Sequence, residues 1–118
     1  MQLKDEVGRF GEAIAARFLV DSGYQLLDRN WRCARGEIDI IAALDRTLVF
    51  CEVKTRSSLA FGQPAEAVGR VKAQRLRRLS VQWLAENPGG WDGIRFDVIS
   101  VLRRPSGPAQ VQHLPAAF

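Results

Sequence analysis

A chain of 118 residues, 47% of them hydrophobic and 25% charged, is long enough to bury a core and too apolar to remain disordered. It reads as a single domain over residues 1–118, and its net charge of +4 favours a polyanionic partner such as nucleic acid. No apolar run approaches the roughly 18 residues of a membrane span, and no basic segment leads into an apolar one at the start, so a cytoplasmic protein is expected.

In chain order, Val7, Phe10, Ile14, Phe18 and Leu19 recur at helical spacing, which predicts an amphipathic helix from Lys4 to Ser22, ended by Gly23. Glu12 falls at the border of its buried stripe, near Ala16 and Leu19. From there it either reaches into a cleft beside a sheet or pairs locally with Arg9. Residues 24–31 alternate as a first strand, and residues 32–36 read as a loop. Arg29, Arg32 and Arg35 surround Trp31. That grouping suits a nucleic-acid backbone and its bases, although a half-buried tryptophan among solvated arginines is the commoner arrangement. Neither Cys33 nor Cys51 has metal-ligand spacing, so both are expected as reduced thiols, Cys51 as buried packing.

The most informative stretch is a hairpin over residues 37–55, with a polar turn at residues 44–47. A turn centred between Asp45 and Arg46 places Asp39 opposite Glu52 and Glu37 opposite Lys54. Opposed like charges repel unless neutralised, and a divalent cation would neutralise the two carboxylates. A register shifted by two would instead pair Asp39 with Lys54 as a plain ion pair. The second arm is apolar on both faces until Glu52, the pattern of an interior strand, so Glu52 and Lys54 should line a cleft or meet an ion.

Residues 55–63 read as a loop beside that carboxylate pair, with Thr55, Arg56, Ser57 and Ser58 as candidate phosphate donors. A helical region follows from Pro64 to about Asn87, with a break near Gly69. It carries Arg70, Lys72, Arg75, Arg77 and Arg78 without an intervening acid. Most of these form a solvated stripe, but Lys72 shares an arc with Leu76, Leu79 and Trp83 and so points at the body of the domain. It needs an acidic or phosphate partner there, or its ammonium snorkels to water. Residues 94–102 form another strand, where Asp97 is read as an ion-pair residue, and residues 110–114 a last edge strand. His113, the sole histidine, lies there as a poor general-base candidate.

Laid out in this order, the Gly8-Arg9-Phe10-Gly11-Glu12 helix, Gly36-Glu37-Ile38-Asp39, Glu52-Val53-Lys54 and the basic helix with Lys72 resemble the YraN-type family of small bacterial proteins. These in turn look like the restriction-endonuclease-like PD-(D/E)xK nucleases, especially archaeal Holliday junction resolvases. The resemblance implies an α/β fold, a restriction-endonuclease-like mixed central sheet flanked by helices. It implies Asp39 and Glu52 as ligands of Mg²⁺ or Mn²⁺, Lys54 as the catalytic lysine and Glu12 as an accessory acid. Ile38 stands where the superfamily motif has proline, which ligates nothing. The Val53 carbonyl is a further candidate ligand.

The expected reaction is phosphodiester hydrolysis by an endonuclease. Arg35, Arg56, Ser57, Lys72 and Arg75 would grip phosphates without reading bases, which favours branched or flapped DNA over a fixed sequence. Likeness to the resolvases suggests a homodimer. The competing expectations are a nucleic-acid-binding or recruiting module with little turnover, and a protein-interaction domain.

Overall fold

The described residues 3–57 and 69–118 of this computed structural model form α1 (Leu3–Asp21), β1 (Gln25–Cys33), β2 (Gly36–Leu44), β3 (Thr47–Arg56), α2 (Arg70–Glu86), β4 (Gly93–Leu102) and β5 (Gln110–Leu114). The strands make one five-stranded sheet in the order β1-β2-β3-β4-β5, antiparallel except between β3 and β4. Parallel neighbours cannot be joined by a tight turn, and α2 lies in the crossover between these two. Among the described residues no helix is long and apolar enough to cross a membrane.

The two helices bury opposite faces of the sheet. Ala15, Ala16 and Leu19 of α1 pack on Ile40, Val49, Cys51 and Ile99. Leu76, Leu79 and Trp83 of α2 pack on Ile41, Leu48 and Phe50. β3 is therefore the interior strand, and Leu48, Val49, Phe50 and Cys51 are all fully buried. Each large apolar side chain buried this way contributes about 1.5–3 kcal/mol relative to exposure. A mixed sheet covered by one helix on each face is the restriction-endonuclease-like arrangement.

The hairpin register is the one expected from the turn: Leu44 pairs with Thr47 and Ile40 with Cys51. The turn is tight because Asp45 takes φ 54°, a conformation aspartate tolerates better than most residues. The expected facings of Asp39 with Glu52 and of Glu37 with Lys54 do not form as rungs, because the β2–β3 ladder ends at Ile40 and Cys51. Glu37 pairs instead with Arg32 of β1, Nε to Oε2 at 3.0 Å. The loop expected at residues 32–36 is also corrected. β1 continues to Cys33, which pairs with Gly36, leaving only Ala34 and Arg35 in the turn. Arginine content suggested a loop, but Trp31 and Cys33 pack on the α2 side while Arg32 stays outside, so the stretch alternates as a strand.

α1 ends where expected, with Gly23 at φ 95°. α2 begins at Arg70 with Gly69 as its N-cap; the helix start expected at Pro64, and Ser58, lie outside the described residues.

Candidate active site

The site arises where β2 parts from β3. Ile40 and Ala42 face α1 and Ile41 faces α2, as alternation demands, but Ile38 lies on the α2 side with Ile41. The strand therefore turns over at Asp39. Where the backbone ladder stops, a side chain replaces it: the Val53 N–H donates to Asp39 Oδ2 at 2.8 Å. On β1, Asn30 sits opposite the fork at φ 53°, and the Asn30–Asp39 rung is absent between the Arg29–Ile40 and Trp31–Ile38 pairs.

The fork opens a cleft of about 700 Å³ lined by Glu12, Asp39, Glu52, Val53, Lys54 and Lys72. α1 closes one wall with Val7 and Gly8, and Thr55 adds to the floor. Close approach of α1 depends on Gly11, where a Cβ would overlap Thr55 Oγ1 and lie 2.8 Å from the Thr55 Cβ.

Two lysines hold Glu52. Lys72 Nζ lies 2.5 Å from Glu52 Oε1, and Lys54 Nζ lies 3.4 Å from the same oxygen. The acidic partner that the position of Lys72 demanded is thus Glu52, and its ammonium does not snorkel away. Burial, then the neighbouring Lys72, pull Lys54 below the ordinary lysine value against the attraction of Glu52. For Lys72 burial acts in the same sense, but the hydrogen bonds with Glu52 and Lys54 and the charge of Glu52 outweigh it and raise its pKa.

Among the described residues no cation forms an ion pair with Asp39. Burial first, and the Glu52 charge second, push its pKa up to about 7, although the Val53 N–H favours the ionised form. Glu12 is also raised, by burial above all, against a stabilising hydrogen bond from Asn30. Asn30 is the supporting residue that sequence reasoning missed; its only signal was a turn-type residue inside a strand.

These donors fit a hard divalent cation. Among the described residues no three His, Cys, Asp or Glu side chains converge into a cage. Mg²⁺, however, is commonly held by one or two carboxylates while keeping waters and substrate phosphate. Two oxygen donors in one cleft, one of them a carboxyl whose ionisation its surroundings disfavour, suit that requirement.

The remaining expected residues lie elsewhere. Arg35 and Arg75 line a separate pocket beside α2. Arg56 closes β3, its carbonyl accepting from the Arg103 N–H at 2.7 Å, and Ser57 is exposed just beyond. Neither lines the cleft, whereas Thr55 does. Asp97 is an ion-pair residue, as read: wholly buried, it accepts from Arg95 Nη2 at 2.8 Å and the Ala116 N–H at 3.0 Å, and lies 2.6 Å from His113 Nε2.

Comparison with known proteins places this arrangement in context. The profile of the "Uncharacterised protein family UPF0102" matches residues 11–101, a span containing Glu12, Asp39, Glu52, Lys54 and Lys72. A UPF0102 protein of Frankia alni is 53% identical over 118 residues, covering 100% of this chain and 98% of the relative. Others from Beutenbergia cavernae and Nocardia farcinica are each 53% identical, covering 97% and 98% of this chain and 97% and 91% of the relatives.

Proposed function

The chain belongs to the uncharacterised protein family UPF0102, and from its cleft we propose a divalent-metal-dependent endonuclease that hydrolyses phosphodiester bonds in structured DNA, branched or flapped. The observation that supports this most is the gathering of Asp39, Glu52 and Lys54 around one open cleft at a strand fork. Asp39 and Glu52, with the Val53 carbonyl, would hold Mg²⁺ or Mn²⁺. When bound, such an ion offsets charge on the phosphoryl oxygens and lowers the pKa of a coordinated water.

The chain's own residues do the rest. Lys54, on the same strand face as Glu52, aims its ammonium where negative charge grows on a phosphate in the cleft, a donor fixed before the reaction begins. Its lowered pKa weakens its hold on its own proton and suits it to the proton traffic of hydrolysis. Glu12, with its raised pKa, sits across the cleft as a second proton-handling group. The Val53 N–H fixes the Asp39 carboxylate, so one oxygen is tethered and the other is left for a ligand.

A second reading, a nucleic-acid-binding module with the nuclease fold and little turnover, draws on the lysines, which already neutralise Glu52 without any metal ion. Incubation of the chain and its Asp39→Asn and Lys54→Ala variants with branched, flapped and linear DNA and with structured RNA, in Mg²⁺, Mn²⁺ or EDTA, separates the two. The endonuclease reading expects metal-dependent cleavage of branched or flapped DNA that both variants lose. Binding that survives in both, with no substrate cut, establishes the module instead.

A further inference from the structure

A second concavity lies outside the cleft, between the β1–β2 turn and α2. It has a volume of about 510 Å³ and is lined by Arg35, Val71, Gln74, Arg75, Arg78 and Leu79. Three arginine side chains line it, and no described residue is seen to offer any of them a hydrogen bond or an ion pair. Four other arginines are neutralised locally: Arg17 by Asp21, Arg32 by Glu37, Arg46 by Asp92 and Arg95 by Asp97. Three like charges held together repel unless an anion joins them. The pocket is built rather than incidental, because the β1–β2 turn lies against α2: a Cβ on Gly36 would sit 3.5 Å from the Leu79 side chain and 3.8 Å from Arg75 Cδ.

Its position gives the anion its identity. Lys72 enters the cleft, and Arg75 lies three residues, just under one turn, further along the same helix, a rise of about 4.5 Å. Arg78 follows after the same interval. α2 thus carries cations without a break from the cleft into the pocket. We infer that the Arg35–Arg75–Arg78 pocket is a second phosphate-binding site, which seats a backbone phosphate of the same polynucleotide whose scissile bond lies in the cleft. This rests on the nucleic-acid reading of the cleft and adds the path: the strand runs along α2 towards the β1–β2 turn. Guanidinium groups suit phosphate oxygens by offering paired donors in a fixed plane. The three arginines on the lining favour an anionic backbone over an apolar peptide.

The test is fluorescence anisotropy with fluorescein-labelled duplex and four-way-junction DNA, in EDTA, over a salt series, for the parent chain and Arg35→Gln, Arg75→Gln and Arg78→Gln. Arg17→Gln and Arg46→Gln serve as controls for loss of charge elsewhere. Each phosphate contact contributes about 0.9 to the slope of log affinity against log salt. The pocket variants should each lower that slope by close to this amount, and the controls should leave it unchanged. Equal slopes in the pocket variants and the parent overturn the second site while leaving the cleft reading intact. Absence of binding by the parent overturns both, as does equal binding of a labelled acidic peptide. A lowered slope without metal-dependent cleavage keeps the pocket and removes the endonuclease.

Discussion

Asp39 combines two duties that pull against each other. It stitches the fork by accepting the Val53 N–H, yet burial and Glu52 push its pKa from 3.8 up to about 7. Between those values the folded chain retains a proton that the unfolded chain has lost, so stability falls as pH rises through this window and the whole cost is present above it. Asp39→Asn keeps an acceptor for Val53 and removes the charge. It should therefore match the parent near the acid end of the window and exceed it at slightly alkaline pH by on the order of 2–4 kcal/mol, measured by urea denaturation. Lys72→Met removes the nearer of the two cations on Glu52; with Lys54 still in place the expected loss is about 1–2 kcal/mol by the same measurement. That residues 39 and 52 lie near each other was legible from the turn position, but they meet across the cleft where the strands part and not as a ladder rung. The stitch was not, since it joins a side chain to a backbone group where the ladder ends. The support of Glu12 by Asn30 was hidden for a related reason, as it depends on how β1 passes beneath α1.

At the scale of elements, α1 reaches the cleft only because two of its glycines play different parts. Gly11 lies against Thr55 so closely that a methyl group cannot be added, whereas a Cβ at Gly8 would meet nothing within 4 Å. Gly11→Ala should force α1 off β3 and cost about 1–3 kcal/mol. Gly8→Ala, in the same helix, should stabilise by about 0.5–1 kcal/mol through helix propensity alone. Thermal melting of the two variants checks both, and equal shifts would contradict the packing argument. Helix and strand positions were readable from periodicity, down to the hairpin register. Gly11 was not distinguishable from Gly8, because close approach is a property of two elements rather than one. The extension of β1 through Arg32 and Cys33 was obscured for the opposite reason: side chains on the open face of an edge strand are free to be arginine, so composition there misleads.

Across the whole molecule the chain carries two aspartates of opposite electrostatic character, Asp39 half-buried at the fork and Asp97 wholly buried in β4. Asp97 ties β4 to β5 and the C-terminal residues through Arg95, His113 and the Ala116 N–H. Burial alone would raise its pKa, but the hydrogen bonds from His113 and Arg95, with the Ala116 N–H, outweigh it and hold the carboxyl below 3.8. Its support is thus complete above about pH 4 and is lost as pH falls through its depressed folded value. Together with Asp39, whose cost grows as pH rises, this places the most stable condition on the acid side of neutrality as far as these two groups decide it. Asp97→Asn should blunt the acid limb of the stability profile, and Asp39→Asn the neutral limb, in denaturant titrations across pH. The hairpin and its interior strand followed from the sequence pattern, and the mixed sheet flanked by helices from the family resemblance. The arginine pocket did not, because Arg35 and Arg75 lie far apart in the chain and meet only when the β1–β2 turn folds against α2. The claim on which the function turns is that residues 39 and 52 jointly seat a cation, and Mn²⁺ titration followed by electron paramagnetic resonance tests it without requiring a substrate. The parent chain should take up the ion, and Asp39→Asn and Glu52→Gln should each weaken uptake by about tenfold or more; equal Mn²⁺ binding by all three proteins, or none by the parent, would contradict it.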